Sequence, residues 1–199
     1  MKRYDRAYFD RWYRDPETSV IDDDAVRRRA TMVLAVAEHL LRRPVRSLLD
    51  IGCGEGNWEP HLRRIQPGIR YLGIDSSRYA IRRFGRERNL RLGSFADAST
   101  RIGAARFDVL VCSDVLHYLT AREIDRGLPP LVDRVDGIAY LSAYTSDDDT
   151  SGDLEGGYRR PASWYRDRFR RVGLTELGLQ CWAGPLMQES GAALEYSPE

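Results

Sequence analysis

The sequence predicts an α/β domain built on a mostly parallel, open sheet with helices on both faces. Two observations carry that reading. Short apolar runs alternate with amphipathic stretches from Val45 to Val172, and turn residues punctuate them. Strands joined through helices in this way pair in parallel, because the helix returns the chain to the same edge.

The elements follow in order. Tyr4–Arg14 mixes charges with aromatics at helical spacing. Asp22, Asp23 and Asp24 supply an N-cap and an acidic first turn. The helix they open carries Val26, Ala30, Val33, Ala37, Leu40 and Leu41 as a 3.6-period stripe, and Pro44 ends it. Val45–Ile51 reads as a buried strand, Trp58–Ile65 as a short helix, and Tyr71–Ile74 as the second strand. Arg78–Arg88 is a helix, Leu90–Phe95 a third strand and Phe107–Ser113 a fourth. The next helix runs from Ala121 through Leu128 and past Pro129-Pro130 to Val135. Ile138–Thr145 is a fifth strand, Ser163–Val172 a helix and Leu174–Trp182 a final strand, followed by a turn and a short helix. This is a Rossmann-like pattern in a single domain: residues 1–43 form an N-terminal helical cap or lid, and residues 44–199 the core.

Composition excludes several classes. The 199 residues are 42% hydrophobic and 31% charged with a net charge of +1, a globular profile without the basic excess of a dedicated nucleic-acid binder. No apolar stretch reaches the roughly 18 residues of a membrane span, and the charged start lacks a signal core, so the expected location is cytoplasmic. Cys53, Cys112 and Cys181 form no CxxC pair, and no metal site is expected. Lys2 is the only lysine, which removes Schiff-base chemistry and a phosphate-binding Walker loop. The arginine clusters, Arg27–Arg29 among them, read as solvated helix faces.

The chemistry concentrates in LLDIGCGEGNW, Leu48 to Trp58. Its GxGxG spacing is one residue tighter than a dinucleotide loop, and Asp50 stands immediately before it. A carboxylate there repels a pyrophosphate but suits an ammonium. Asp75 ends the next strand, where an acid accepts both hydroxyls of a ribose. The pair favours a nucleoside that carries an amino acid. LLDIGCGEGNW, YLGIDSS and FDVLVCSDVLHYL, in this order, resemble the successive motifs of class I S-adenosylmethionine-dependent methyltransferases. The resemblance runs from about Leu48 to Ser142. It implies S-adenosyl-L-methionine as cofactor, with Asp50, Gly52 and Gly54 at its methionine part and Asp75 on its ribose. In GSFADAS it places Ser94 or Asp97 near the adenine amine and Phe95 as an adenine wall. Ser113 and Asp114 close the site near the methyl group.

The expected function is in-line methyl transfer to a small-molecule acceptor. His117 is the candidate general base, since it follows the fourth strand and titrates near neutrality. Tyr118, Tyr144, Tyr8 and Trp12 are candidates for the acceptor pocket, with Tyr8, Phe9, Trp12 and Tyr13 as a lid. The acidic loop TSDDDTSGDLEGG, Thr145 to Gly157, could attract a cationic acceptor. Competing readings are a cofactor-binding regulator without catalysis, an RNA methyltransferase, and an NAD-dependent oxidoreductase, which would need the absent GxGxxG.

Overall fold

The computed structural model describes residues 2–20, 22–149, 153 and 155–196. Of the acidic loop, residues 150–152 and 154 lie outside the described residues. Two helices precede the sheet, α1 (Arg6–Tyr13) and α2 (Asp23–Leu41). Asp5 caps α1 by accepting from the Tyr8 N–H, and Asp22 caps α2 through the Ala25 N–H. The strands are β1 (Ser47–Ile51), β2 (Arg70–Asp75), β3 (Leu90–Leu92), β4 (Phe107–Cys112), β5 (Val135–Leu141), β6 (Thr175–Gly178) and β7 (Cys181–Ala183). Between them run α3 (Trp58–Ile65), α4 (Arg78–Arg88), α5 (Ala98–Ile102), α6 (Ala121–Val132) and α7 (Ala162–Arg171).

The sheet has seven strands in the order β3-β2-β1-β4-β5-β7-β6. β1 through β5 pair in parallel, and β7 joins β5 antiparallel. The order reverses beside β1, so the carboxyl ends of β1 and β4 flank a crevice where such sheets take their ligands. Alternation along each strand divides the core. Leu48, Val109, Val111, Ile138 and Tyr140 face α2 and α3. Leu49, Ile51, Leu110, Cys112, Ala139 and Leu141 face α5, α6 and α7. Helices therefore cover both faces, as the sequence pattern requires.

Four details depart from expectation. The third strand stops at Leu92; Phe95–Asp97 is a 3-10 turn and α5 follows it. α6 ends at Val132 and β5 already begins at Val135, because Asp133 closes the helix by donating to the carbonyls of Leu131 and Pro129. The expected single last strand is a hairpin, since Leu179 and Gln180 both adopt positive φ and turn the chain back on itself. The stretch after it contains 3-10 turns at Pro185–Met187 and Ala193–Glu195. Among the described residues, no helix is long and apolar enough to cross a membrane.

Candidate functional site

The glycine loop leaves β1 directly. Gly52 and Gly54 have φ of 74° and 56°, a region that side chains disfavour, and neighbouring atoms enforce the choice. A Cβ on Gly52 would run into the Val115 side chain, and one on Gly54 would lie 2.5 Å from the Tyr13 hydroxyl. The Asp75 carboxylate ties this loop to the end of β2. One oxygen accepts from the Gly54 N–H at 2.8 Å and the other from the Ser77 N–H at 2.7 Å. Burial pushes the Asp75 pKa up even against these bonds.

Asp50 lies on β1 opposite Gly73 of β2 and is 2% exposed. Its carboxylate accepts the Tyr71 hydroxyl at 2.8 Å. Desolvation, opposed by that hydrogen bond and reinforced by the Asp75 charge, raises its pKa to about 7. A buried acid, Asp50, and a half-buried one, Asp75, thus share the head of the loop. Tyr71, which orients one of them, carried no signal in the sequence beyond its place in a strand.

At the end of β4, Asp114 adopts a φ of 60°, uncommon for a non-glycine residue. Hydrogen bonds hold it there. Its N–H donates to the Ser142 hydroxyl at 2.9 Å, the same hydroxyl donates back to its carboxylate, and the Ser113 hydroxyl bonds its other oxygen at 3.1 Å. Arg29 of α2 reaches Ser113 at 3.2 Å and Asp114 at 3.0 Å. This corrects the solvated reading of the Arg27–Arg29 cluster. Arg27 and Arg28 do pair with exposed Asp24 and Asp22, but Arg29 points to the strand ends.

His117 is 3% exposed in the turn after β4. Its Nδ1 accepts from the Tyr144 N–H at 3.4 Å, and its Nε2 has no partner among the described residues. Desolvation lowers its pKa to about 4, with Lys2 adding to the effect and Asp114 and Asp153 opposing it. The ring packs at 4.1 Å from Tyr118 and 5.2 Å from Tyr144. Tyr118 donates its hydroxyl to the Asp153 carbonyl, and Tyr144 remains 41% exposed. His61, in contrast, is structural, bonding Asp23 at 2.9 Å.

Helix α1 closes over the crevice. Phe9 is 1% exposed, stacks on Tyr79 at 5.6 Å and meets Tyr13 edge-on at 4.8 Å. Arg14 grips both oxygens of Glu55 in the glycine loop, at 2.6 and 2.7 Å. The Tyr4 carbonyl accepts from Ser77 at 2.6 Å. Tyr8 packs against Tyr4 and Phe9, whereas the Trp12 ring lies under the Arg11 guanidinium instead. Grooves of about 370 and 390 Å³ lie elsewhere, one lined by Arg63, Arg70, Arg88 and Arg91, the other between Ala143, Asp147 and α7.

The residues expected at the adenine end are not gathered in the same way. Ser94 is exposed and bonds Asp97 at 3.0 Å. Phe95 is 6% exposed within the core, and α6 presses on it so closely that a Cβ on Gly127 would lie 2.7 Å from its ring. Phe95 is thus packed as core in this conformation.

The loop and its acids fit a nucleoside carrying an amino acid. Asp50 is a buried carboxylate held by the neutral Tyr71 hydroxyl, and desolvation chiefly raises its pKa. The bare backbone at Gly54 leaves room that the Tyr13 hydroxyl now takes. Among the described residues, no group of three or more His, Cys, Asp or Glu side chains is placed to hold a metal ion.

Comparison with known proteins agrees with this geometry. The profile of a methyltransferase-domain family matches residues 25–124, half of the chain. No curated protein matches the sequence. Solved structures with the same fold include the plantazolicin methyltransferase BamL in complex with a triazolic desmethylPZN analog and SAH, with TM-score 0.63 and 17% identity. That match covers 77% of this chain and 65% of BamL, so this chain spans less than two thirds of that protein's length. Magnesium protoporphyrin IX methyltransferase (ChlM) from Synechocystis PCC 6803 with bound SAH matches with TM-score 0.63 and 16% identity over 86% of each chain. A SAM dependent methyltransferase from Archaeoglobus fulgidus matches with TM-score 0.64 and 13% identity, over 85% of this chain and 74% of that one. At these identities the likeness is one of fold, and the family profile carries the assignment. With its reversed strand order, bare glycine loop and paired acids, the chain belongs to the class I S-adenosylmethionine-dependent methyltransferases, whose cofactor is S-adenosylmethionine.

Proposed function

We propose that the protein transfers the methyl group of S-adenosylmethionine to a small-molecule acceptor. The observation that carries this reading is the bare Gly54 backbone, clamped by Asp75 beside the buried Asp50. When bound, the cofactor supplies a methyl group already activated by its sulfonium, so the chain's task is chiefly to position and to exclude water.

In this reading Asp50 and the Gly52–Gly54 backbone receive the methionine part, and Asp75 keeps lone pairs for ribose hydroxyls beyond the two N–H bonds it accepts. Ser113 and Asp114, braced by Arg29 and Ser142, hold a fixed polar edge where the acceptor approaches. His117 is neutral, and because its Nδ1 accepts a hydrogen bond, its proton resides on Nε2. It therefore offers a donor that orients an acceptor, rather than the free lone pair of a base. Helix α1 serves as the lid of the 1–43 segment, since its Tyr13 and Phe9 cover the glycine loop, while α2 is fixed core. The three cysteines, all free and buried, fit a cytoplasmic setting.

The covering of Gly54 favours one second reading, a cofactor-binding regulator whose lid stays shut. Calorimetric titration with S-adenosylhomocysteine, alongside NAD, tests the shared premise. Micromolar binding of the first and none of the second is expected; failure to bind S-adenosylhomocysteine withdraws both readings. Transfer of label from methyl-labelled S-adenosylmethionine into small molecules of a cell extract separates enzyme from regulator.

A further inference from the structure

Lys2, the one lysine of the chain, is boxed in rather than solvated. Its ammonium lies 4.1 Å from the centre of the Tyr118 ring, 5.4 Å from Tyr8 and 5.8 Å from Tyr4. It forms an ion pair with Asp153 and donates to the Glu155 carbonyl at 3.1 Å. Only 16% of the Lys2 side chain and 6% of the Asp153 side chain remain exposed. Aromatic faces and a buried carboxylate around one compact cation make a cation-selective cage, because each ring presents its negative face and the acid supplies the full counter-charge. Tyr118 also donates its hydroxyl to the Asp153 carbonyl.

The cage stands at the carboxyl end of the sheet. Tyr118 follows β4 and Asp153 lies in the loop after β5, so both belong to the crevice rim and do not travel with α1. His117, whose buried Nε2 has no partner among the described residues, packs its ring against Tyr118. Lys2, Tyr4 and Tyr8, in contrast, share one short segment with Tyr13, the residue covering Gly54. Lifting that segment uncovers the glycine loop and takes the ammonium, with the Tyr4 and Tyr8 rings, away from Tyr118 and Asp153.

We propose that this cage is the acceptor subsite, that it recognises a small molecule bearing an alkylammonium group, and that Lys2 occupies it as a built-in surrogate. The proposal rests on the methyltransferase reading for the word acceptor, while cation binding itself does not. A tethered lysine competes at an effective concentration in the millimolar range, so removing it exposes the affinity of the empty cage.

The test is a ligand-observed NMR titration with n-butylammonium, with uncharged n-butanol as control, on the closed protein without S-adenosylhomocysteine. Lys2→Ala is expected to bind n-butylammonium at least tenfold more tightly than the unmodified chain and to ignore n-butanol. Adding Asp153→Asn to Lys2→Ala is expected to lose at least that factor. Equal affinity with and without Lys2, binding that survives loss of the Asp153 charge, or equal response to n-butanol overturns the cage and leaves Lys2 a structural latch. Titration of the same samples with S-adenosylhomocysteine judges the methyltransferase reading separately and reports that each variant is folded. If it binds but n-butylammonium does not, the cage alone falls. If n-butylammonium binds as expected but S-adenosylhomocysteine does not, the cage stands as a cation site and its role as acceptor subsite falls.

Discussion

The cofactor's ammonium and the Asp50 carboxylate make a linkage that can be measured. In the free protein Asp50 has a pKa of about 7, raised chiefly by desolvation. At pH 5.5 about 97% of it is therefore protonated, and at pH 7 about half. A ligand ammonium held against it requires the ionised form, so binding at pH 5.5 must first expel a proton. The ionised fraction rises from about 0.03 to about 0.5 across this interval, which strengthens binding about fifteenfold, or about 1.6 kcal/mol. The ligand's own amine stays protonated throughout, so the change belongs to the protein. Calorimetry with S-adenosylhomocysteine in two buffers of different ionisation enthalpy counts the protons. Close to one should be released at pH 5.5 and about half of one at pH 7. Asp50→Asn should bind more weakly with the proton release removed. No proton release at pH 5.5, or the same release from Asp50→Asn, would refute the contact between Asp50 and the ammonium.

Asp50 should also act on folding without ligand. Its folded pKa is raised from 3.8 to about 7, so the unfolded chain ionises first as pH rises, and stability falls from about pH 4 until the folded group also ionises near pH 7. Asp50→Asn should therefore melt higher than the parent at pH 8, by up to about 4 kcal/mol, with the gap closing below pH 4; an unchanged gap would place the carboxylate in water. Asp75→Ala leaves the N–H groups of Gly54 and Ser77 without acceptors, and should weaken S-adenosylhomocysteine at least tenfold while costing about 1–3 kcal/mol of stability. Unchanged affinity in calorimetry would remove Asp75 from the site. Gly127→Ala drives a methyl against the Phe95 ring and carbonyl, each 2.7 Å away, and should cost about 1–3 kcal/mol in a denaturant melt. His117 should show no imidazole titration by NMR between pH 5.5 and 8, because its pKa lies at about 4.

Much of this molecule was legible in its sequence for a physical reason. Strand and helix periods differ, so Leu48 and Leu49 announce two buried faces, and Val26, Ala30 and Val33 announce one helix stripe. Arg78–Arg88 was bounded correctly because Ser77 caps its start and Asn89 takes the left-handed turn at its end. The placement of Asp50 and Asp75 beside the glycine loop was legible because each closes an apolar strand run. What periodicity could not supply was long-range pairing. Nothing local marks Arg29 as the partner of Asp114 across 85 residues, or Tyr71 as the hydrogen-bond donor to Asp50. The last hairpin was missed because its two turn residues, Leu179 and Gln180, take positive φ although neither is glycine or asparagine, and Gly178 before them reads equally as a glycine within a strand. Nor does anything local mark Gly127, far along the chain, as the residue packed on Phe95.

Helix α1 ties the two halves of the proposed site together through competing contacts. Arg14 holds Glu55, Tyr13 covers Gly54, and Lys2 neutralises Asp153. Each of these acids flanks a place where a positively charged or donor-bearing ligand would sit. A lid held by such contacts opens at low cost when the ligand supplies equivalent ones, because the buried carboxylates exchange one partner for another rather than losing any. The same contacts keep Glu55 and Asp153 from standing unpaired in the closed state. Breaking them singly should therefore be expensive for the closed form and neutral for the ligand-bound form. Arg14→Ala should accordingly speed S-adenosylhomocysteine association severalfold in stopped-flow fluorescence and leave its dissociation rate nearly unchanged. A slower dissociation with unaltered association would mean that α1 is fixed packing, and that the crevice admits its ligand by another route.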